Sequence, residues 1–260
     1  MLDAGATISL LTQRPDRSAL AMDFDGSLSQ IVDRPEEALP HPAVVPLLSR
    51  LVPRFGRVAI VSGRSVEFLS QRLPVPGLVY AGLYGIETLV DGQRRLDERV
   101  ERYLPRIEEA ANEAERRLPG VLVERKSGVS VTLHWRTTPE RADEVRAVAA
   151  ELAERLDLDA PQRGRMAVEL RPAVPVDKGT AVAALVDGFA VACFAGDDAG
   201  DLPAFAALLA AQQDGRVGRA VRIGVLSPEA PAELRRAVDV VVDGPDGLVS
   251  LLARVADEIA

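Results

Sequence analysis

The sequence contains a single cysteine, Cys193, in 260 residues. One thiol excludes an intrachain disulfide framework. Positive charge is scarce: 31 lysines and arginines against 39 acidic residues leave a formal net charge of -8. That balance excludes a general binder of nucleic acid or anionic membrane, because phosphate surfaces need a basic footprint. No uncharged apolar run reaches the ~18 residues of a membrane span. The stretch Met1–Arg17 lacks the basic start and apolar core of a secretory signal, so the cytoplasm is the expected location. Aromatic residues are only 4%. With abundant Ala, Val, Leu and Arg, this matches a high-GC genome and says little about function. There is no internal repeat and no low-complexity tract. Hydrophobic residues at 47% are ordinary for a globular chain, and the length suits one large domain or two small ones.

The first third alternates between strand and helix patterns. Ser18–Phe24, Arg57–Val61 and Leu78–Ala81 are short apolar runs bounded by turn or polar residues, as buried strands are. Between them, His41–Arg54 carries Val44, Leu47, Leu48 and Leu51 at helical spacing, and Ser65–Leu73 is a second helix closed by Pro74. Such alternation predicts a doubly wound, mostly parallel α/β sheet. The pattern then changes. Glu98–Leu118 predicts a charged amphipathic helix, Val121–Arg125 and Val129–Arg136 a hairpin turning at Ser127-Gly128, Pro139–Leu156 a helix, and Arg165–Leu170 a strand after a loop around Pro161–Gly164. From Asp177 the first pattern returns, with helices at Asp177–Asp187, Leu202–Ala211 and Gly247–Ile259. Strands are predicted at Val191–Ala195, Val221–Val225 and Val238–Val242. The expected organisation is therefore a core from residues 1–97 and 172–260, with an α+β insertion at 98–171.

Four polar elements stand at tips of core elements. Asp23-Phe24-Asp25-Gly26-Ser27 ends the first strand, Ser62-Gly63-Arg64 the second, and Gly196-Asp197-Asp198 with Asp201 the strand after the insertion; Lys178-Gly179 opens a helix. Residues that follow parallel strands share one edge of a sheet, where α/β folds bind ligands. Carboxylates gathered there repel one another unless a cation lies between them, and oxygen donors suit a hard ion such as Mg2+. The set suits phosphoryl transfer, which needs a nucleophile, a metal, a cation for the phosphoryl oxygens and a proton shuttle. Taken singly, Asp23-x-Asp25 also fits a solvated turn, Ser62-Gly63 a common turn and Lys178 an exposed helix start. All four in this order favour the chemistry.

These motifs resemble those of the haloacid dehalogenase superfamily of Mg2+-dependent aspartate-nucleophile phosphatases. Within it, the chain is similar to the trehalose-6-phosphate phosphatase family, through Gly82-Leu83-Tyr84-Gly85-Ile86-Glu87, Glu124-Arg125-Lys126, Leu133-His134-Trp135-Arg136 and Val168-Glu169-Leu170-Arg171-Pro172. The resemblance implies that Asp23 is the nucleophile and Asp25 the general acid and then base. Ser62 and Lys178 would hold the phosphoryl oxygens. Mg2+ would sit on Asp23, the carbonyl of Asp25, Asp197 and, directly or through water, Asp201. The insertion would be a cap that closes over the sugar.

Substrate contacts are expected from Gly26, Gly63, Arg64, Glu87, Glu124, Lys126, His134, Glu169 and Asp198. Charged cap residues can bridge sugar hydroxyls, although each also fits a solvated outer face. Arg64 fits a phosphate contact and surface charge equally. His134 fits a satisfied histidine, Trp135 cap core, and Cys193 a buried small hydrophobe. Members of the family usually have Thr where this chain has Ser27, His where it has Tyr84, and Thr and Glu where it has Gly200 and Leu202. The metal-phosphate set is untouched by these changes. They leave open the same chemistry on sucrose phosphate, a glycosyl-phosphoglycerate or a trehalose-like pseudo-disaccharide phosphate, and a non-catalytic binder of sugar phosphates. The expected partner is a small sugar phosphate, with neither nucleic acid nor membrane, and the chain a monomer or weak dimer.

Overall fold

The computed structural model describes residues 3–32, 34–164, 166–227 and 230–259. The chain divides into two compact units, Met1–Arg95 with Val176–Ala260, and Leu96–Pro175. In chain order the first unit opens with α1 (Ala4–Thr12), β1 (Ser18–Met22), α2 (Val44–Leu51), β2 (Arg57–Val61), α3 (Val66–Arg72), β3 (Val79–Gly82), β4 (Glu87–Val90) and β5 (Gln93–Leu96). The second unit contains α4 (Leu104–Arg117), β6 (Leu122–Lys126), β7 (Ser130–His134), α5 (Ala142–Arg155), β8 (Gln162–Gly164) and β9 (Ala167–Leu170). The first unit then resumes with α6 (Lys178–Val186), β10 (Val191–Gly196), α7 (Leu202–Gln213), β11 (Arg219–Leu226), α8 (Ala232–Ala237), β12 (Val240–Asp243) and α9 (Gly244–Glu258).

The core sheet runs β12-β11-β10-β1-β2-β3-β4-β5. Pairing is parallel from β12 to β3, and β4 turns back antiparallel on β3. The sheet is therefore the mostly parallel, doubly wound one that the alternation predicts. Both faces of β1 are buried, as a central parallel strand requires. Leu20 and Met22 point into one hydrophobic cluster with α1, α2 and α9, where Leu11, Leu48 and Leu252 lie. Ala19 and Ala21 point into the opposite cluster with Val182 of α6 and Phe205 of α7. Alanine dominates that face, with Ala59, Ala81 and Ala192 beside them, so α6 and α7 can sit close to the strands. The two helices also approach each other closely: a Cβ at Gly179 would meet the Pro203 carbonyl oxygen at 2.6 Å.

In the second unit, β6-β7-β9-β8 form an antiparallel sheet. Val131, Leu133, Val168 and Leu170 face α4 and α5 across a core that includes Ile107, Leu152 and Trp135. Trp135 is thus a core residue. The alternate residues form the polar face. The hairpin turns where expected, with Ser127 and Gly128 both left-handed (φ 54° and 70°), the primed turn that matches strand twist.

Several expectations are corrected. Glu98–Leu118 is not one helix: Glu98–Tyr103 is a 3-10 segment, and the α-helix starts at Leu104, with Pro105 in its first turn. Proline there supplies no N–H, which suits a helix start and not a helix interior. The expected loop at Pro161–Gly164 contains β8, and the expected strand start at Arg165 lies outside the described residues. The helix starting at His41 is shorter, Val44–Leu51.

Candidate active site

Strand order places the site. From β1 the chain steps to β2 and β3 on one side, while β10, β11 and β12 step away on the other. The crevice beyond the strand ends, where order reverses between β1 and β10, is where open α/β sheets bind ligands. Asp23 follows β1 directly, and its N–H donates to the Ala195 carbonyl at 2.8 Å, extending the ladder with β10. Asp197 follows β10. The carboxylates of opposite chain halves therefore meet. Asp23, Asp197 and Asp201, all buried, bring ligand oxygens within 4.8 Å of one another.

Lys178 joins this group from the first turn of α6, which Asp177 caps by accepting from Thr180 N at 2.8 Å. The Lys178 Nζ lies 2.9 Å from Asp23 Oδ1 and 2.7 Å from Asp201 Oδ1. Asp201 spends its other oxygen on the loop, accepting from Asp197 N at 2.8 Å and Asp198 N at 3.1 Å. It thereby holds the Asp197 backbone at the strand tip. Ser27 Oγ reaches Asp197 Oδ1 at 3.5 Å. Gly26 is left-handed (φ 80°), and a Cβ there would lie 2.0 Å from Asp197 Oδ2. Only glycine lets the two loops approach so closely.

Three buried carboxylates against one ammonium leave two formal negative charges. A divalent cation would balance them, and an all-oxygen donor set suits a hard ion. The residues therefore fit a divalent metal. The titration of the metal-free groups reflects the same imbalance. Burial pushes the Asp23 carboxyl well up; Lys178 opposes that, and Asp201 and Asp197 add to it. Burial, with Asp201 and Asp198 nearby, raises Asp197 to about 7. For Lys178, burial pulls downward, but Asp23, Asp201 and Asp198 outweigh it and hold the ammonium well above its ordinary range.

A stability prediction follows for the metal-free protein. Asp197 binds its proton more tightly folded than unfolded, so this stability is complete below an unfolded carboxyl pKa of about 4. It is lost as pH rises through about 7. Melting in EDTA and in excess divalent metal should therefore separate more at pH 8 than at pH 5.5. An equal separation at both would contradict this account.

The remaining expected residues are placed as follows. Asp25 is not in the acidic group; Arg64 holds it through two bonds, Nε–Oδ2 at 2.8 Å and Nη2–Oδ1 at 2.6 Å. The guanidinium of Arg64, an expected substrate contact, thus pairs with Asp25 in this structure. Ser62 is buried, and its Oγ accepts from Arg64 N at 3.2 Å. Gly63 packs under the Tyr84 ring, where a Cβ would lie 2.8 Å from the phenol oxygen. Leu83 and Tyr84 are both left-handed (φ 49° and 63°). Their N–H groups donate to Arg64 O and Ser62 O, each at 2.9 Å, which ties the two loops together. Asp198 is exposed.

Glu87 is another of the expected substrate contacts. Its side chain is fully buried; Oε1 accepts from Val66 N at 2.8 Å and Oε2 from Arg94 at 2.6 Å and 2.8 Å. It anchors the start of α3, hence the Ser62–Arg64 loop. In the second unit, Glu124, Lys126, His134 and Glu169 share the polar face, as the alternation predicts. They are paired with one another: Lys126 Nζ lies 3.2 Å from Glu169 Oε1, and His134 Nε2 lies 2.8 Å from Glu124 Oε2. Sequence reading missed Ser130, whose Oγ donates to Glu169 at 2.7 Å; its place on the same face of β7 was the available signal.

A family profile described as trehalose-phosphatase matches residues 21–232. The trehalose-phosphate phosphatase of Mycobacterium marinum is 35% identical over 245 residues, covering 85% of this chain and 62% of that protein. The chain thus spans less than two thirds of that relative's length. A solved structure described as a trehalose-6-phosphate phosphatase related protein is 25% identical, with a TM-score of 0.72, over 92% of this chain and 97% of that one. The C-terminal domain of the C. albicans trehalose-6-phosphate phosphatase shares the fold at 20% identity, with a TM-score of 0.74, over 98% and 97% of the two chains. Among the described residues, no helix is long and apolar enough to cross a membrane.

Proposed function

Because the chain belongs to the trehalose-phosphatase family, we propose that it hydrolyses trehalose 6-phosphate to trehalose and phosphate, with Mg2+ as its metal. The observation that carries the reading is the buried group of Asp23, Asp197 and Asp201 around Lys178 at the sheet's switch point. Mg2+ would be held by Asp23, the carbonyl of Asp25 and Asp197. Asp201, whose oxygens already accept from Lys178 and two N–H groups, would contribute through water. When bound, the ion neutralises charge between the anionic nucleophile and the anionic substrate.

In the first step an Asp23 oxygen attacks phosphorus and the bond from phosphorus to the sugar oxygen breaks. The Asp25 carboxylic acid gives its proton to that departing oxygen. In the second step water attacks the aspartyl-phosphate, Asp25 takes the water's proton, and the bond between phosphorus and Asp23 breaks. Phosphate leaves and both carboxyls return to their first state. The Lys178 ammonium and the Ser62 hydroxyl bind the phosphoryl oxygens through both steps. Glu124, Lys126, His134 and Glu169 exchange their mutual pairs for sugar hydroxyls. Gly26 serves by admitting Asp197, and Gly63 by admitting Tyr84. The buried, lone Cys193 suits a reducing compartment, and we place the protein in the cytoplasm as a monomer or weak dimer. We assign the division of labour as a catalytic core in 1–97 and 172–260, with a sugar-recognising cap in 98–171.

Phosphate release from a panel of sugar phosphates tests this reading. Trehalose 6-phosphate should be preferred over sucrose phosphate and glycosyl-phosphoglycerates, EDTA should abolish release, and Mg2+ should restore it. Preference for another sugar phosphate would keep the chemistry and move the substrate. Binding without turnover would make the chain a non-catalytic binder.

A further inference from the structure

We propose that Arg64 is a positioning residue that sets the side chain of Asp25 for proton transfer, rather than a ligand of the phosphoryl group; this rests on the acid–base role given to Asp25 above. The guanidinium meets both Asp25 oxygens at 2.6 Å and 2.8 Å, the planar fork-to-fork pairing that fixes orientation as well as distance. The guanidinium is itself held. Its carbon lies 4.6 Å from the centre of the Phe68 ring, a cation–π contact. Phe68 in turn packs edge-on against Phe24, with ring centres 5.9 Å apart. Phe24 is fully buried and stands between Asp23 and Asp25 in the chain. The contacts close a circuit, Phe24 to Phe68 to Arg64 to Asp25, and nucleophile and acid are joined to it at adjacent positions.

The backbone adds a second restraint. Arg64 N donates to Ser62 Oγ at 3.2 Å, and Arg64 O accepts from Leu83 N at 2.9 Å. Leu83 and Tyr84 adopt the left-handed conformation to make this loop pairing, a strain that surrounding structure must hold in place. The Asp25 side chain remains 35% exposed. An incoming sugar oxygen or water can thus reach the carboxyl; when Asp25 carries its proton, the protonated oxygen leaves the fork and Arg64 holds the other. Lys178, by contrast, is 2.9 Å from the nucleophile, so the cation for the phosphoryl oxygens is already supplied elsewhere.

The assignment separates the two chemical steps. A sugar oxygen needs a proton to leave; p-nitrophenolate does not. Both routes need a base for hydrolysis of the aspartyl-phosphate. Arg64→Met should therefore form the aspartyl-phosphate from p-nitrophenyl phosphate at the wild-type rate and hydrolyse it about 10- to 100-fold more slowly, part of what acid–base catalysis contributes. Rapid mixing should show a burst of one p-nitrophenol per protein, then a slow steady state. With trehalose 6-phosphate the single-turnover rate itself should fall, with KM little changed. Arg64→Lys, which keeps the charge and loses the fork, should fall between; its melting curve and that of Arg64→Met report the fold. Unchanged kinetics would overturn the proposal. So would equal slowing of both steps with raised KM and no burst, the outcome for a phosphoryl ligand or a damaged fold. A wild type that turns over neither substrate would instead remove the phosphatase reading on which the proposal rests.

Discussion

Asp23→Asn should lower phosphate release by more than about 1,000-fold, because the amide cannot form the covalent intermediate. Asp25 is gripped by Arg64, and Asp201 by Lys178 and two backbone N–H groups. The same substitution should leave the metal-free fold as stable as before, or more so, at pH 8. Asp23 ionises against burial and two nearby acids, so a neutral isostere removes repulsion while Lys178 keeps Asp201. The rise in melting temperature on adding Mg2+ should shrink, since one ligand charge is gone. Turnover near the wild-type rate would exclude Asp23 as the attacking group. A destabilised metal-free variant would contradict the charge imbalance described for the site.

Lys178→Met should have the opposite balance of effects. Lys178 is 5% exposed, and its ammonium touches both Asp23 and Asp201. Without it, buried carboxylates lose their counter-charge, a loss that costs about 3–5 kcal/mol. In a chain of this size each kcal/mol moves the midpoint by about 2–4 °C, so the metal-free variant should melt roughly 6–20 °C lower. Activity should fall at least about 100-fold, with the loss of a charge fixed where the phosphoryl oxygens bind. Lys178→Arg should not rescue, because a guanidinium is larger than the slot between two carboxylates. Adding Asp201→Asn should recover part of the stability and none of the activity; a melting scan of the double variant measures that coupling. A Lys178→Met protein that melts like the wild type would show that the two ion pairs contribute nothing.

What could be read from the sequence follows burial. β1, β2 and β10 are buried on both faces, so their apolar runs stand out between turns, and Asp23, Asp197 and Asp201, which follow β1 and β10, lie together. β5 is an edge strand of sequence Gln93-Arg94-Arg95-Leu96 and is mostly exposed; its single apolar residue, Leu96, makes no pattern. α1 reads Ala-Gly-Ala-Thr-Ile-Ser-Leu-Leu-Thr; Ala4, Ile8 and Leu11 are at helical spacing, but Ala4, Ala6, Ile8 and Leu10 also alternate as in a strand, so the period does not decide. β8 is short and lies in a stretch with Pro161 and Gly164, so the turn residues hid it. In the site, residue types were legible and pairings were not. Arg64 and Asp25 are 39 positions apart, and no spacing rule joins them. Glu87 carries the same carboxylate whether it meets a sugar or Val66 N; only its burial distinguishes the two.

Because β1 and β10 lie side by side in parallel register, the crevice cannot close until the ribosome has released residues far beyond the insertion. A nascent chain halted at Pro175 carries Asp23 with no partner strand on that side, and Lys178, Asp197 and Asp201 are still to come. The insertion, Leu96–Pro175, makes its own pairings over shorter separations and so can fold while the first strands wait. Asp23 therefore stays without its acidic neighbours until Asp197 and Asp201 have been made.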